Sequence, residues 1–340
     1  MKAKSIQWIS SIRGLAAVFV FLSHLDGLQI SPPDYITFIM GRVGVVIFFL
    51  LSGYLAVNAR EERTGIQYLL NRLVRMYPIY WILLIITYML DFYPKTKISA
   101  LFINMSLFHR FVGVYGLIRA SWMMPIQIVF FISISILGID FFLCPRKIRN
   151  KIIRKNFPCV VMASLSFGAI LTGYVRMKTG VNFPTALFLL MSIAYLGFFW
   201  KLCDEKRIPI TTLLYCLLIF ELGLEVSVVC SYTDTILRYL ISYNIGLLLF
   251  GVLKIKNIDC KWFKKIGNIG FTFFLGAEIP YSVMNKFVDF NASITLNILG
   301  CILKFVFAIL FAMIITKYVE KPMLNKAKTV EKDIFKGRKR

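Results

Sequence analysis

Apolar residues fall in runs of roughly 20, long enough to cross a bilayer core of about 30 Å as α-helices, and charged residues gather between them. The runs predict about ten spans, at about residues 9–28, 43–59, 78–90, 122–143, 157–174, 183–202, 210–230, 237–253, 266–284 and 294–318. The fold class they imply is an all-α polytopic membrane protein. Two prolines in SPPDYI (31–36) stop the first helix and make a short external turn. The next loop ends in an amphipathic segment, 66–77, that puts Arg72 and Arg75 on one face at i, i+3. Pro78 then opens the third span. The longest connection between spans, 95–120, contains ISALFINMSLFHRF, which is apolar but short and reads as an interfacial or re-entrant piece. No Gly/Ser linker, low-complexity tract or clear repeat divides the chain. Residues 1–322 read as one membrane domain and 323–340 as a basic cytoplasmic tail.

The net charge of +23, from 40 Lys and Arg against 17 Asp and Glu, raises nucleic acid as a partner. Its distribution argues otherwise. With the N-terminus inside, about 30 of the 40 basic residues fall in or beside cytoplasmic segments, the positive-inside pattern of a membrane protein. The loop PRKIRNKIIRK carries six of them and marks the inside firmly. Both termini are then cytoplasmic, and no nucleic acid is needed to explain the charge. A basic inner face also suits lipid headgroups and phosphate-bearing substrates. The first run is too long for a signal-peptide core and lacks an A-x-A-like site, so it stays attached as an anchor. Trp81, Tyr93, Trp122, Trp200 and Trp262 near span ends read as the interfacial aromatic belt.

The seven cysteines show no C-x-x-C and no metal-ligand spacing, and most lie in or beside apolar runs as small hydrophobes. With only His24 and His109, a multi-histidine metal site is excluded and no metal is expected. His109 reads as a solvated loop histidine. Chemistry concentrates instead in the first span. Arg13 and His24 lie eleven steps apart, so on a helix they share a face at about 16 Å along the axis. Ionisable groups in a span are costly and mark function. A neutral histidine can take a proton from a hydroxyl, and a guanidinium can hold a phosphate or polarise a carbonyl. The plainer alternatives are a snorkelling arginine and a packing histidine.

The stretch R-G-L-A-A-V-x-V-x-x-S-H, from Arg13 to His24, resembles the R-x10-H signature of the acyltransferase-3 family of integral-membrane acyltransferases. GVVIFFLLSGYL and NRLVRMYPIYW resemble the next two blocks of that family in order. NIGLLLFG, IGNIGFTFFLGAEIP and VEKP match weaker, later landmarks, so the likeness spans nearly the whole chain. It implies acyl transfer, usually of acetyl, from acyl-CoA at the cytoplasmic face to a hydroxyl of a carbohydrate acceptor. The expected acceptor is a bacterial surface polysaccharide or its lipid-linked precursor, and the expected location the bacterial inner membrane. By the same resemblance His24 is the base and Arg13 binds the donor, with Arg72 and Arg75 meeting the anionic coenzyme. No bound cofactor is implied; acetyl-CoA is the donor substrate. Many relatives carry a soluble hydrolase-like domain after the membrane part, and here none is expected.

Two positions depart from the resemblance. Gln127 stands five residues after Trp122, where many relatives have Glu, so a carboxylate there takes no part in this chain. Ala277 stands where relatives often carry histidine, with Glu278 beside it as a substitute. Ser52 and Tyr54 flank Gly53, whose missing side chain lets another helix approach; no G-x-S-x-G elbow makes Ser52 a nucleophile. Asp140, Glu221, Glu225, Asn244, Glu278 and Lys304 read as buried polar residues. Glu221 and Glu225, at i, i+4, would orient His24 or line an acceptor path, or else pair with Lys304 or sit protonated. Two other classes remain open. A glycolipid or polysaccharide transporter would also use buried charges in many spans, and a non-catalytic scaffold would tolerate changes at Arg13 and His24.

Overall fold

The computed structural model describes residues 7–24, 34–90, 97–143, 156–180, 185–231, 236–287, 293–326 and 329. The basic loop 145–155, the turn at 31–33 and most of the tail lie outside them. Among the described residues every regular element is helical. Eight helices among the described residues are long and apolar enough to cross a membrane. The first and ninth expected spans are apolar but fall short of that length, each for a physical reason.

The first helix, α1 (Gln7–Ser23), ends before residue 28. Ser23 Oγ donates to the Val20 carbonyl at 2.7 Å and His24 N to Phe21 O at 3.0 Å. These bonds satisfy carbonyls left over at the helix end and tighten its last turn. Seventeen residues give about 25 Å of helix. The ninth expected span is three pieces, α10 (Lys261–Asn268), α11 (Gly270–Gly276) and α12 (Glu278–Asn285). Ile269 leaves helical geometry at φ −108°, ψ 7°, between Gly267 and Gly270.

Pro78 does not open a span. It lies inside α3 (Gly65–Met89), which continues through it. A proline removes one rung of the helical ladder, and membrane helices tolerate that loss. The helix starts in a reciprocal cap: Thr64 N donates to Gln67 Oε1 at 2.9 Å and Gln67 N to Thr64 Oγ1 at 3.4 Å. Before it runs α2 (Asp34–Glu61), the second span, longer at its start than the apolar run.

By internal contacts the chain divides into two compact units. The first holds residues 1–41, 70–125 and 257–340. In it α1 lies against α10 and α11, while α13 (Ile294–Ile315) lies against α11 and α12. Gly14 and Gly267 bring α1 and α10 into backbone contact: a Cβ on Gly14 would strike the Phe263 carbonyl, and one on Gly267 the Ser10 carbonyl. Phe21, Phe273 and Phe305 then tie α1, α11 and α13 together, with ring centroids 5.3–6.1 Å apart. The short connection is α4 (Ile98–Met105) followed by 3-10 turns at His109–Val112 and Arg119–Met123. Eight residues of helix are about 12 Å, too short to span. Three rings of α3 satisfy its terminal carbonyls: Tyr80 donates to Asn104 O, Trp81 to Met105 O and Tyr77 to Ser106 O, at 2.9–3.0 Å.

His109 overturns its reading as a solvated loop residue. It is fully buried, with its ring packed on Gly116. The loop folds back on itself, so Gly116, seven residues on, packs against a histidine that local polarity leaves exposed.

The second unit holds residues 42–69 and 126–256. It contains α5 (Met124–Leu143), α6 (Phe157–Thr179), α7 (Thr185–Asp204), α8 (Ile210–Ser231) and α9 (Ile236–Ile255). The α6 helix packs on α7 and α8, and α9 on α8. Gly53 has the close-approach role expected of it: a Cβ there would meet the Ala194 carbonyl of α7, and Gly197 faces the Leu50 carbonyl in return. Gly138, at φ 69°, kinks α5, and Arg60 donates to the Ile134 carbonyl at 3.4 Å just before the kink.

Candidate functional site

The helix α1 carries Arg13 partly buried on its second turn. The arginine stem passes over the start of α11, where a Cβ on Gly270 would lie 3.4 Å from Cγ and 3.5 Å from Cδ. Arg13 is within electrostatic reach of Arg72 and Arg75 of α3 and of Glu320. Three arginines and one carboxylate therefore gather from three parts of the chain. Glu320 ends a π-turn, Thr316–Glu320, that continues α13. Such a turn inserts an extra residue and re-aims the side chains beyond it, and it recurs at functional sites. Glu320 Oε2 accepts from Thr272 Oγ1 of α11 at 2.6 Å and from Thr316 Oγ1 at 3.0 Å.

His24 closes α1 and is partly buried. It lines a cavity of about 20 Å³ with Phe21, Ala120, Phe274, Ala277 and Glu278, room for about one water. Arg13 thus meets the first residue of α11, and His24 faces the residues just past its last. From Gly270 to Glu278 a helical rise is about 12 Å. Both residues face one broken span.

Glu278 opens α12 and shares the cavity with His24. Its Oε1 is 2.7 Å from Arg119 Nε, and Arg119 N donates to its other oxygen at 3.4 Å. Glu278 and Leu275 also wall a second cavity of about 10 Å³ with Thr87, Leu117 and Ser282. Ala277 brings no functional group to the cavity, and Glu278 beside it lines the same space.

A family model described as an acyltransferase domain matches residues 6–317. The chain belongs to the acyltransferase-3 family. No curated protein and no solved structure matches it. It is therefore a membrane-embedded acyltransferase, and its sequence-predicted residues fall in two groups.

The first unit of the acyltransferase holds Arg13, His24, Arg72, Arg75 and Glu278, in the arginine cluster and the His24 cavity. The second unit holds Ser52, Tyr54, Gln127, Glu221 and Glu225, and the first four of these make local bonds. Gln127 Nε2 donates to Ser52 Oγ at 2.6 Å, so the residue standing where relatives have Glu ties α5 to α2. Tyr54 donates to Asp204 at 2.8 Å, and Lys254 pairs with the same carboxylate at 2.8 Å. Glu221 accepts from Asn244 Nδ2 at 3.3 Å. Glu225, Asn244 and Asp140 are exposed, against the expectation of burial. The buried stripe of α8, through Phe220, Gly223, Leu224 and Ser227, turns Glu225 away. Lys304 is buried, as expected of it.

Sequence reasoning missed Glu320, Arg119 and Asn104 in this acyltransferase. Glu320 had a faint signal, since it lies in the VEKP landmark. Asn104 had none. It is fully buried, and its side chain donates to Ala100 O and Tyr115 O and accepts from Leu117 N, at 2.9–3.0 Å.

Proposed function

We propose that this acyltransferase moves an acyl group, acetyl in the first instance, from acyl-CoA to a hydroxyl of a surface polysaccharide or its lipid-linked precursor. One observation carries the reading: a cluster of three arginines and the His24 cavity sit at opposite ends of the same broken span. Arg13, Arg72 and Arg75 suit the phosphates of the coenzyme, since a guanidinium pairs with them through two parallel bonds. The flexible arm of the donor then runs along α11 toward His24. There the imidazole takes the proton of the acceptor hydroxyl, and the oxygen attacks the thioester carbonyl. The new C–O bond forms as the C–S bond breaks, and the leaving thiolate recovers the proton from the imidazolium. Glu278, held by Arg119 and lining the same cavity, supplies a negative charge that offsets the positive charge the imidazole gains during transfer.

The positive-inside charge pattern supports the donor at the cytoplasmic face and the acceptor opposite, in the bacterial inner membrane. Broken helices also build transporter sites, so the test must separate binding from reaction. Purified protein in nanodiscs is titrated with acetyl-CoA and assayed for label transfer. The double change Arg72→Ala, Arg75→Ala is expected to weaken acetyl-CoA binding by about tenfold or more, as lost charge-assisted contacts do. His24→Ala is expected to keep binding and lose transfer. Acetyl-CoA binding indifferent to both arginines, or absent from the wild type, would contradict the proposal.

A further inference from the structure

A third and larger cavity shares a wall with the smaller of the two that Glu278 lines. It is a groove of about 380 Å³ between α4 and the stretch of loop after it, lined by Lys97, Ser99, Ile103, Val114, Tyr115 and Leu117. That volume lies in the range of small-molecule sites, about 300–1,000 Å³. The groove is firmly built. The buried Asn104 side chain clamps the two walls by bonding to Tyr115 O and Leu117 N, and Tyr80 of α3 holds Asn104 from behind.

Its position is the informative part. Leu117 walls both the groove and the cavity of about 10 Å³ beneath it. Leu275 and Glu278 wall both that cavity and the one holding His24. Only shared walls therefore separate the groove from the cavity that His24 lines: Leu117 first, then Leu275 and Glu278. All of these residues lie in the first unit.

The lining names a chemistry. Lys97 supplies a cation at the rim, Ser99 a hydroxyl, and Tyr115 an exposed aromatic ring of the kind on which sugar faces stack. The adjoining face of α4 is apolar and exposed: Ile98 is 62% and Phe102 63% accessible. Phe111 and Val112 continue that surface on the next turn. A free sugar would have no use for it. A molecule with a sugar, a phosphate and a long apolar chain would use every part.

Resting on the acyl-transfer reading, we infer that this groove is the acceptor site and that its occupant is a glycosyl phosphate carried on a lipid chain. The sugar lies against Tyr115 and Ser99 and the phosphate against Lys97, while the chain runs over Ile98 and Phe102. The hydroxyl to be acylated reaches His24 past Leu117.

Thiol protection tests this without relying on catalysis. Ser99→Cys is introduced into protein whose native cysteines are replaced, reconstituted in nanodiscs and treated with a soluble maleimide. A polyprenyl-phosphate hexose is expected to slow labelling by about tenfold, in His24→Ala protein as well as in active protein, while the methyl hexoside and acetyl-CoA leave it unchanged. Leu117→Trp, which fills the wall below the groove, is expected to cut acetyl transfer to the same probe by about tenfold or more and leave acetyl-CoA affinity unchanged. Labelling unaffected by the polyprenyl phosphate, with transfer intact, would overturn the groove. Protection by the methyl hexoside equal to that by the lipid-linked sugar would overturn the lipid-linked occupant. Protection without any transfer would leave the groove standing and overturn the acyl-transfer reading instead.

Discussion

At the scale of single residues, the donor-binding role proposed for Arg13 depends on the shape of its side chain. Arg13→Lys is expected to lose most transfer, because an ammonium cannot reproduce the planar fork of a guanidinium; near-normal transfer by that variant would remove Arg13 from the donor site. Glu320 is placed to steady that arginine. It is held by Thr272 and Thr316 and acts on Arg13 from beyond α13. Glu320→Ala is therefore expected to raise the acetyl-CoA KM several-fold more than it lowers kcat, with Glu320→Asp in between. Unchanged kinetics, or an equal fall in expression and activity, would make Glu320 merely structural. Arg13 and His24 stand out in the sequence because a charge inside an apolar run needs a reason to be there. Glu320 does not, since a carboxylate just past an apolar helix resembles any surface residue, and only the π-turn aims it inward. His109 was misread for the complementary reason: its burial comes from a loop closed by Asn104, which no local pattern announces.

At the scale of elements, the long spans could be read directly, because an uninterrupted apolar run of membrane length has few alternatives to a helix. The break in the ninth was hidden, since hydropathy barely changes across Ile269 and only the flanking Gly267 and Gly270 hint at it. Pro78 misled in the opposite direction, as a breaker that a membrane helix absorbs. The crossing of α1 over α10 is the most exposed to attack. Gly14 and Gly267 place two backbones in contact there, so any side chain must force the helices apart, and overpacking of this kind costs about 1–3 kcal/mol or more. Gly14→Val is expected to lower the thermal midpoint in detergent and to reduce transfer, because α1 carries both Arg13 and His24. A variant as stable and as active as wild type would mean that the crossing is slack. By contrast Val112→Ala, on an exposed turn, is expected to leave the midpoint unchanged.

At the scale of the whole molecule, the chain is an all-helical membrane acyltransferase whose family match covers residues 6–317. The charge map predicts its orientation. In a chain whose native cysteines are replaced, a cysteine at Glu62, between α2 and α3, is expected to resist a membrane-impermeant maleimide added to intact cells, and one at Val112 to react. The reverse result would turn the molecule over and put the arginines proposed to bind the donor on the wrong side. Acyl transfer through His24 to a surface glycan is tested at its root by the acetyl content of purified surface polysaccharide from three strains of the source organism. They are a deletion, the deletion complemented with the wild type, and the deletion complemented with His24→Ala at matched protein level. Acetyl lost on deletion, restored by the wild type and not restored by His24→Ala is the expected result, and general-base loss of about 10²–10⁴-fold would leave it near background. Full restoration by His24→Ala would remove the histidine from the chemistry, and acetylation untouched by the deletion would contradict the polysaccharide acceptor.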